Sequence, residues 1–169
     1  MSAFAFTELK PLLLSHGLTL AVAESLTCGR VQARVGEISG ASQFFRGGIT
    51  AYTLEQKVNL LGVERAEAEQ ARCVSAAVAE QMALGVTRLF GAHLGVATTG
   101  YAEPSLAEGV AEPFAWWAVV HRAGDADTTI ARRSGRIECP GAARVDVQVR
   151  VADAALAELG RYVKSLRLG

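Results

Sequence analysis

Leu18-Thr19-Leu20-Ala21-Val22-Ala23-Glu24-Ser25-Leu26-Thr27-Cys28-Gly29 is the stretch on which the fold turns. Leu18 to Ala23 has little polar content, as in a strand buried on both faces of a parallel sheet. The small and polar residues that follow open a helix over about Thr27 to Val35. A buried strand running straight into a helix is the building step of an α/β fold.

Outward from it, the same step recurs. Upstream, Thr7 to Ser15 reads as a helix with Leu9, Leu12 and Leu13 on one side and Pro11 in its first turn, ended by His16-Gly17. Downstream, Gly47 to Tyr52 reads as a second strand and Leu54 to Leu61 as a helix. Ser75 is a plausible N-cap for a long helix with Val78, Met82, Val86 and Leu89 on its apolar face. Leu94 to Thr99 is a third strand. Phe114 to His121 and Asp127 to Ile137 read as antiparallel neighbours joined by a turn at Ala123-Gly124-Asp125. A closing amphipathic helix spans about Ala142 to Leu166, with Val145, Val149, Ala152, Leu156, Leu159, Val163 and Leu166 as its apolar positions. Early strands alternate with helices and a hairpin closes the sheet. The expected architecture is a three-layer α/β/α sandwich with a mixed, mainly parallel sheet.

Composition narrows the function. The chain has 169 residues, half of them hydrophobic, which suits one domain over 1–169. Lys+Arg and Asp+Glu are both 17, so the formal net charge is zero. A protein that grips nucleic acid shows a basic excess or stripe, and here the densest basic cluster is only Arg132-Arg133 with Arg136. That cluster reads as a solvated strand edge. Cys28, Cys73 and Cys139 form no CxxC, which argues against a zinc site or a redox motif. Free thiols fit a reducing cytoplasm. Met1-Ser2-Ala3-Phe4 lacks the basic n-region of a signal peptide, and no apolar stretch reaches the roughly 18 residues of a membrane span. The expectation is a cytoplasmic protein with neither membrane nor nucleic-acid partners. Phe114, Trp116 and Trp117 place large apolar groups on both faces of one strand, which fits either core packing or a homodimer interface.

In open α/β sheets ligands bind beyond the carboxyl ends of the strands, so the polar residues there are the candidates for chemistry. Ser25 follows the first strand and precedes a helix N-terminus, whose free N–H groups suit a developing oxyanion. Ser25 or Thr27 can equally be a simple helix cap. Of the three histidines, His16, His93 and His121, none reads as the base of a Ser-His-Asp triad. A lysine base is the alternative when burial lowers its pKa, and Lys57 lies one turn beyond the second strand, although most lysines are ordinary surface residues. Tyr52 can relay a proton or bind substrate. Thr99 offers a hydroxyl at the same edge, and Glu103 is either an acid–base group or a loop carboxylate.

Four segments together resemble the CinA C-terminal domain family: AESLTCG (23–29), GGITAYTLEQKVNLLGV (47–63), VSAAVAEQMALGV (74–86) and GVATTGYAEP (95–104). Gly141 and Arg144 in the closing helix resemble the family's G-x-R pattern. The resemblance implies a three-layer α/β/α fold and deamidation of nicotinamide mononucleotide to nicotinate mononucleotide. By position it implies Ser25 as nucleophile, Lys57 as base, and Tyr52 and Thr99 as further catalytic residues. Thr27, Cys28 and Gly29 would hold the oxyanion, and Arg30, Gly48, Gly100, Tyr101 and Glu103 would surround the nucleotide, with no metal or cofactor. A stand-alone form is expected, without the nucleotide-pyrophosphatase domain that often precedes this domain. The chain departs from the family pattern at four places. Leu26 replaces a usual Cys. Cys28 replaces a Gly, and its Cβ is expected to hinder a ligand. Ala102-Glu103-Pro104-Ser105-Leu106 replaces AGPGGG, and Gln148 replaces a second Arg. Glu103 would repel a ligand phosphate unless an arginine intervenes, Arg30 and Arg46 being nearest in sequence. The alternatives are an amidase on another carboxamide, and an inactive relative with a binding role in competence or stress response.

Overall fold

The computed structural model describes residues 8–123 and 128–166. Five strands, β1 (Leu20–Glu24), β2 (Phe45–Thr50), β3 (Leu94–Tyr101), β4 (Phe114–Arg122) and β5 (Thr129–Glu138), form one sheet in the order β2-β1-β3-β4-β5. β2, β1 and β3 are parallel, β4 is antiparallel to β3, and β5 is antiparallel to β4. Only β4 therefore runs against the others. Among the described residues six α-helices flank the sheet: α1 (Leu9–Ser15), α2 (Arg30–Gly36), α3 (Leu54–Leu61), α4 (Arg65–Gln70), α5 (Ala76–Phe90) and α6 (Arg144–Ser165).

The side-chain alternation of the strands sorts the core into two layers. Leu20 and Val22 of β1, Leu94 and Val96 of β3 and Val119 of β4 pack with α1, α2 and α6. Ala21 and Ala23 of β1, Ala97 of β3 and Ala118 and Val120 of β4 face α3, α4 and α5. The α5 side of the sheet is lined mainly by small residues, so α5 sits close. A Cβ added to Gly95 would stand 2.0 Å from the Ala83 carbonyl oxygen, and one added to Gly85 equally close to that of Leu61.

The three-layer sandwich and the mixed sheet are as expected, and the details differ at element ends. β2 starts two residues early because Phe45 already pairs with Leu20, and it stops at Thr50 because Ala51 donates instead to the Glu24 carbonyl. β3 runs on to Tyr101 because Gly100 and Tyr101 pair with Ala115 and Phe114 of β4. α2 begins at Arg30 rather than Thr27, and Leu26 to Gly29 form a turn. α4 has no counterpart in the sequence reading: Ala68 is its one buried residue, so it shows no apolar period. In α6 the expected seam is out of phase at its start. Val145 and Val149 are exposed, while Val147 and Val151 are buried. Two residues are about 200° around a helix, so the two pairs lie on opposite faces. Leu89 of α5 is likewise half exposed. Trp117 packs against the α6-side core and Trp116 against the α5-side core, so core packing accounts for both. The helix start at Thr7 and the turn at Gly124-Asp125, with Asp127, lie outside the described residues. Among the described residues no helix is long and apolar enough to cross a membrane.

Candidate active site

The carboxyl ends of β2, β1 and β3 lie side by side, with β1 in the middle. The residues at or just beyond those ends are Tyr52, Ser25 and Thr99 to Tyr101. Together with Leu26, Lys57, Arg72, Cys73 and Val74 they line a cavity of ≈ 220 Å³. An adjoining cavity of ≈ 230 Å³ shares Leu26, Tyr52, Gly100 and Tyr101 and adds Ala102, Glu103, Pro104, Ser105 and Arg144.

Ser25 is placed by the sheet. Its N–H donates to the Thr98 carbonyl of β3 at 3.1 Å, which extends the β1–β3 pairing by one residue and holds the hydroxyl at the edge. Lys57 sits in the first turns of α3, whose N-cap Thr53 accepts from the Gln56 N–H. The side chain turns inward to 1% exposure. Its Nζ lies 3.0 Å from each of three oxygens: Ser25 Oγ, the Ala51 carbonyl and the Tyr52 carbonyl. Among the described residues no carboxylate pairs with this amine, and burial pushes its pKa below the ordinary lysine value. When the amine is neutral its two protons satisfy the two carbonyls, and its lone pair is left for the Ser25 hydroxyl. That arrangement can take a proton from a serine.

Glu24, just before Ser25, is fully buried and was not anticipated as a site residue. Its carboxylate accepts from the N–H groups of Gly29 (2.9 Å), Val31 (3.1 Å) and Gln32 (2.9 Å). This caps α2 from below and neutralises the positive end of its dipole. The expected oxyanion donors are thereby corrected. The Gly29 N–H belongs to Glu24, and that of Cys28 donates to the Ser25 carbonyl at 3.2 Å. Among the described residues the N–H groups of Leu26 and Thr27 have no protein acceptor. The Thr27 side chain is fully buried, its hydroxyl 2.7 Å from that of Thr98.

Thr99 donates its hydroxyl proton to the Cys73 carbonyl at 2.7 Å, so its oxygen faces the cavity only as an acceptor. Arg72 and Cys73 both have positive φ, 50° and 62°, where α4 ends and the Cys73 N–H folds back to Ala68. Two consecutive non-glycine residues in the left-handed region are uncommon, and such strain gathers at functional sites. Burial raises the Cys73 thiol above its ordinary pKa, and Lys57 partly offsets this. This loop was not read from the sequence because it follows the unrecognised α4.

Tyr52 is half exposed at the mouth, where its hydroxyl accepts from Arg144 Nη2 at 3.0 Å. Arg144 Nη1 contacts Glu103 Oε1 at 2.6 Å. The Tyr52 hydroxyl, with Glu103 beside it, raises the Arg144 guanidinium above its ordinary value. Arg144, and not Arg30 or Arg46, is therefore the arginine that lies against Glu103. Arg30 lines a separate groove between α2 and α6, with Ala33, Arg34, Glu37, Val149 and Ala152. Gly48 lies mid-strand against the Gln32 side chain, away from the cavity, because the register sets it opposite Val22. Cys28 is exposed with φ 50° and does not line the cavity, so its Cβ does not obstruct a ligand. Gln148 is buried and donates to the Leu26 carbonyl at 2.8 Å, tying α6 to the turn after Ser25. Among the described residues no group of three His, Cys, Asp or Glu is arranged to hold a metal.

Comparison with known proteins identifies the family and the fold. Residues 5–163 match the CinA C-terminal domain. A CinA-like protein of Chlorobium limicola is 36% identical over 155 residues, which is 92% of this chain and 36% of that relative. A CinA-like protein of Rippkaea orientalis is 49% identical over 88 residues, 52% of this chain and 21% of its own length. The chain thus spans well under half of these curated relatives. Among solved structures, a competence-damaged protein (CinA) superfamily protein of Klebsiella pneumoniae superposes with TM-score 0.85 at 25% identity, covering 95% of this chain and 96% of the other. The competence/damage inducible protein CihA of Agrobacterium tumefaciens gives 0.74 at 27% identity, covering 98% and 100%.

Proposed function

The chain belongs to the CinA C-terminal domain family, and from that premise and the Ser25–Lys57 pair we propose that it hydrolyses the carboxamide of nicotinamide mononucleotide to nicotinate mononucleotide and ammonia. One observation carries the reading: a fully buried lysine amine without a carboxylate partner, 3.0 Å from a serine hydroxyl at the mouth of a parallel sheet. A lysine that only stabilised the fold would gain nothing from such a position, because burial without an ionic partner disfavours its charge.

The reaction is acyl transfer. Ser25 Oγ attacks the carboxamide carbon as Lys57 takes its proton, and the C=O bond becomes an oxyanion. The N–H groups of Leu26 and Thr27 are the donors proposed to hold it, and Leu26 borders the cavity. Lys57 then returns the proton to the departing nitrogen and ammonia leaves. Water, deprotonated by the same amine, hydrolyses the acyl-serine and regenerates Ser25. Tyr52 and Arg144 lie at the mouth, where they suit the part of the substrate remote from the amide. The partner in this reading is a small-molecule nucleotide, the reaction takes place in the cytoplasm, and it needs neither a cofactor nor a nucleic acid or membrane partner. A homodimer is a secondary proposal, and Val145 and Val149 of α6 are among the exposed apolar groups open to it.

The test is ammonia release from nicotinamide mononucleotide by the wild type and by Ser25→Ala. Robust release that vanishes in the variant supports the reading. Absence of release from this nucleotide sinks it: release from another carboxamide then points to an amidase of different substrate, and no release from any to a binding role.

A further inference from the structure

Among the described residues, the two cavities are lined by three cationic side chains, Lys57, Arg72 and Arg144. Each already has its partners. Lys57 is spent on Ser25 and two carbonyls. Arg72 bonds to Glu108 twice, Nε to the carboxylate at 3.4 Å and Nη1 to the backbone carbonyl. Arg144 holds Glu103 with one nitrogen and the Tyr52 hydroxyl with another. The Arg144–Glu103 contact, at 2.6 Å, joins the loop after β3 to the first turn of α6 across the outer cavity. Both side chains remain substantially exposed, 44% and 60%, so the pair is free to exchange partners.

We propose that Glu103 is a specificity-determining residue, a tethered carboxylate that occupies the anion position on Arg144 and sets the site against substrates bearing a phosphate at their non-reacting end. Carboxylate and phosphate present the same paired oxygens to a guanidinium, so they compete for it directly. An incoming phosphate must displace Glu103 and then lie beside it, like charge against like. A phosphate-free nucleoside with the same carboxamide ring does neither. The inference rests on the amide-hydrolysis reading, and it makes the dephosphorylated nucleoside a better substrate, relative to the nucleotide, than it would be without Glu103.

The experiment measures KM and kcat for ammonia release from nicotinamide mononucleotide and from its dephosphorylated nucleoside, with wild type, Glu103→Ala and Glu103→Gln, at low and high salt. The expected result is a fall of about fivefold in the nucleotide-to-nucleoside KM ratio in Glu103→Ala, the size appropriate to one exposed ion pair. The fall comes through the nucleotide's KM, Glu103→Gln moves the same way, and added salt narrows the difference between wild type and variants. A ratio that stays put, or one that falls because the nucleoside's KM rises, overturns the proposal. If none of the proteins releases ammonia from either compound, the hydrolysis reading is what fails. The same ratio is then read from calorimetric dissociation constants for the two compounds, and failure of Glu103→Ala to lower it, including failure of either compound to bind, overturns the role of Glu103.

Discussion

The Lys57 amine has three oxygen neighbours but, when neutral, only two protons to give. Its activity as a base therefore follows its own titration. kcat/KM should rise with pH through the lowered pKa of Lys57 and level off above it, and Lys57→Met should abolish turnover. Stability should follow the same group. Lys57 titrates lower when folded than its ordinary value of 10.5, so its contribution is present above that value and is lost as pH falls through the folded pKa. The melting-temperature advantage of Lys57→Met over wild type should accordingly shrink as pH rises toward 10.5. Glu24 gives a second prediction. Gln offers one acceptor oxygen where the carboxylate serves three N–H groups, and its amide sets a donor against donors. Glu24→Gln should cost ~2 kcal/mol in urea unfolding and lower kcat by releasing the turn that carries Ser25. Cys28 has φ 50°, so Cys28→Gly should stabilise the protein by ~0.5–1 kcal/mol in the same assay and leave KM little changed. Ser25, Tyr52, Lys57 and Thr99 were legible as candidates because each lies at the end of a strand the sequence marks or within two turns beyond it. Glu24 was not, since a carboxylate at a strand end looks the same in sequence whether it is solvated or triply bonded to a helix.

The elements show where periodicity suffices and where it fails. Strand order along the chain and the position of the long helix α5 follow from buried runs and from the Ser75 cap, which accepts from the Val78 N–H at 3.1 Å. α6 contains valines at 145, 147, 149 and 151, so its composition alone allows two phases. Tertiary contacts choose between them: Arg144 reaches Glu103 and Tyr52, and Gln148 reaches Leu26, which turns Val147 and Val151 inward. α4 was invisible because Ala68 alone is buried, and with it went the Arg72–Cys73 loop that completes the cavity. α5 depends on small residues for its approach to the sheet. Gly95→Ala would drive a methyl group to 2.0 Å from the Ala83 carbonyl oxygen and against Thr87, and backbone cannot step aside cheaply. The expected cost is about 3 kcal/mol, read from the urea midpoint, with α5 forced off β3.

Across the molecule, the alternation of strand and helix announced the sandwich, and the hairpin announced the one reversed strand. How the loops after three different strands meet over Ser25 is a matter of register and long-range bonds, such as Ser25 to Thr98 and Ala51 to Glu24, which no local pattern encodes. The reversed strand has its own effect. Because β4 and β5 add to the sheet by hairpin, β5 ends as a ten-residue edge with a free row of backbone donors and acceptors. Such an edge invites another chain to pair with it. Arg132 stands exposed on it, Arg133 lies over the Tyr162 ring, and Arg136 lies over the Phe114 ring while paired with Glu138. These arginines set like charge against any copy that approaches edge to edge, which is expected to oppose such pairing and hold down aggregation. Replacing Arg132 and Arg136 by valine should leave the melting temperature within a few degrees of wild type yet bring turbidity at concentrations where the wild type scatters no light.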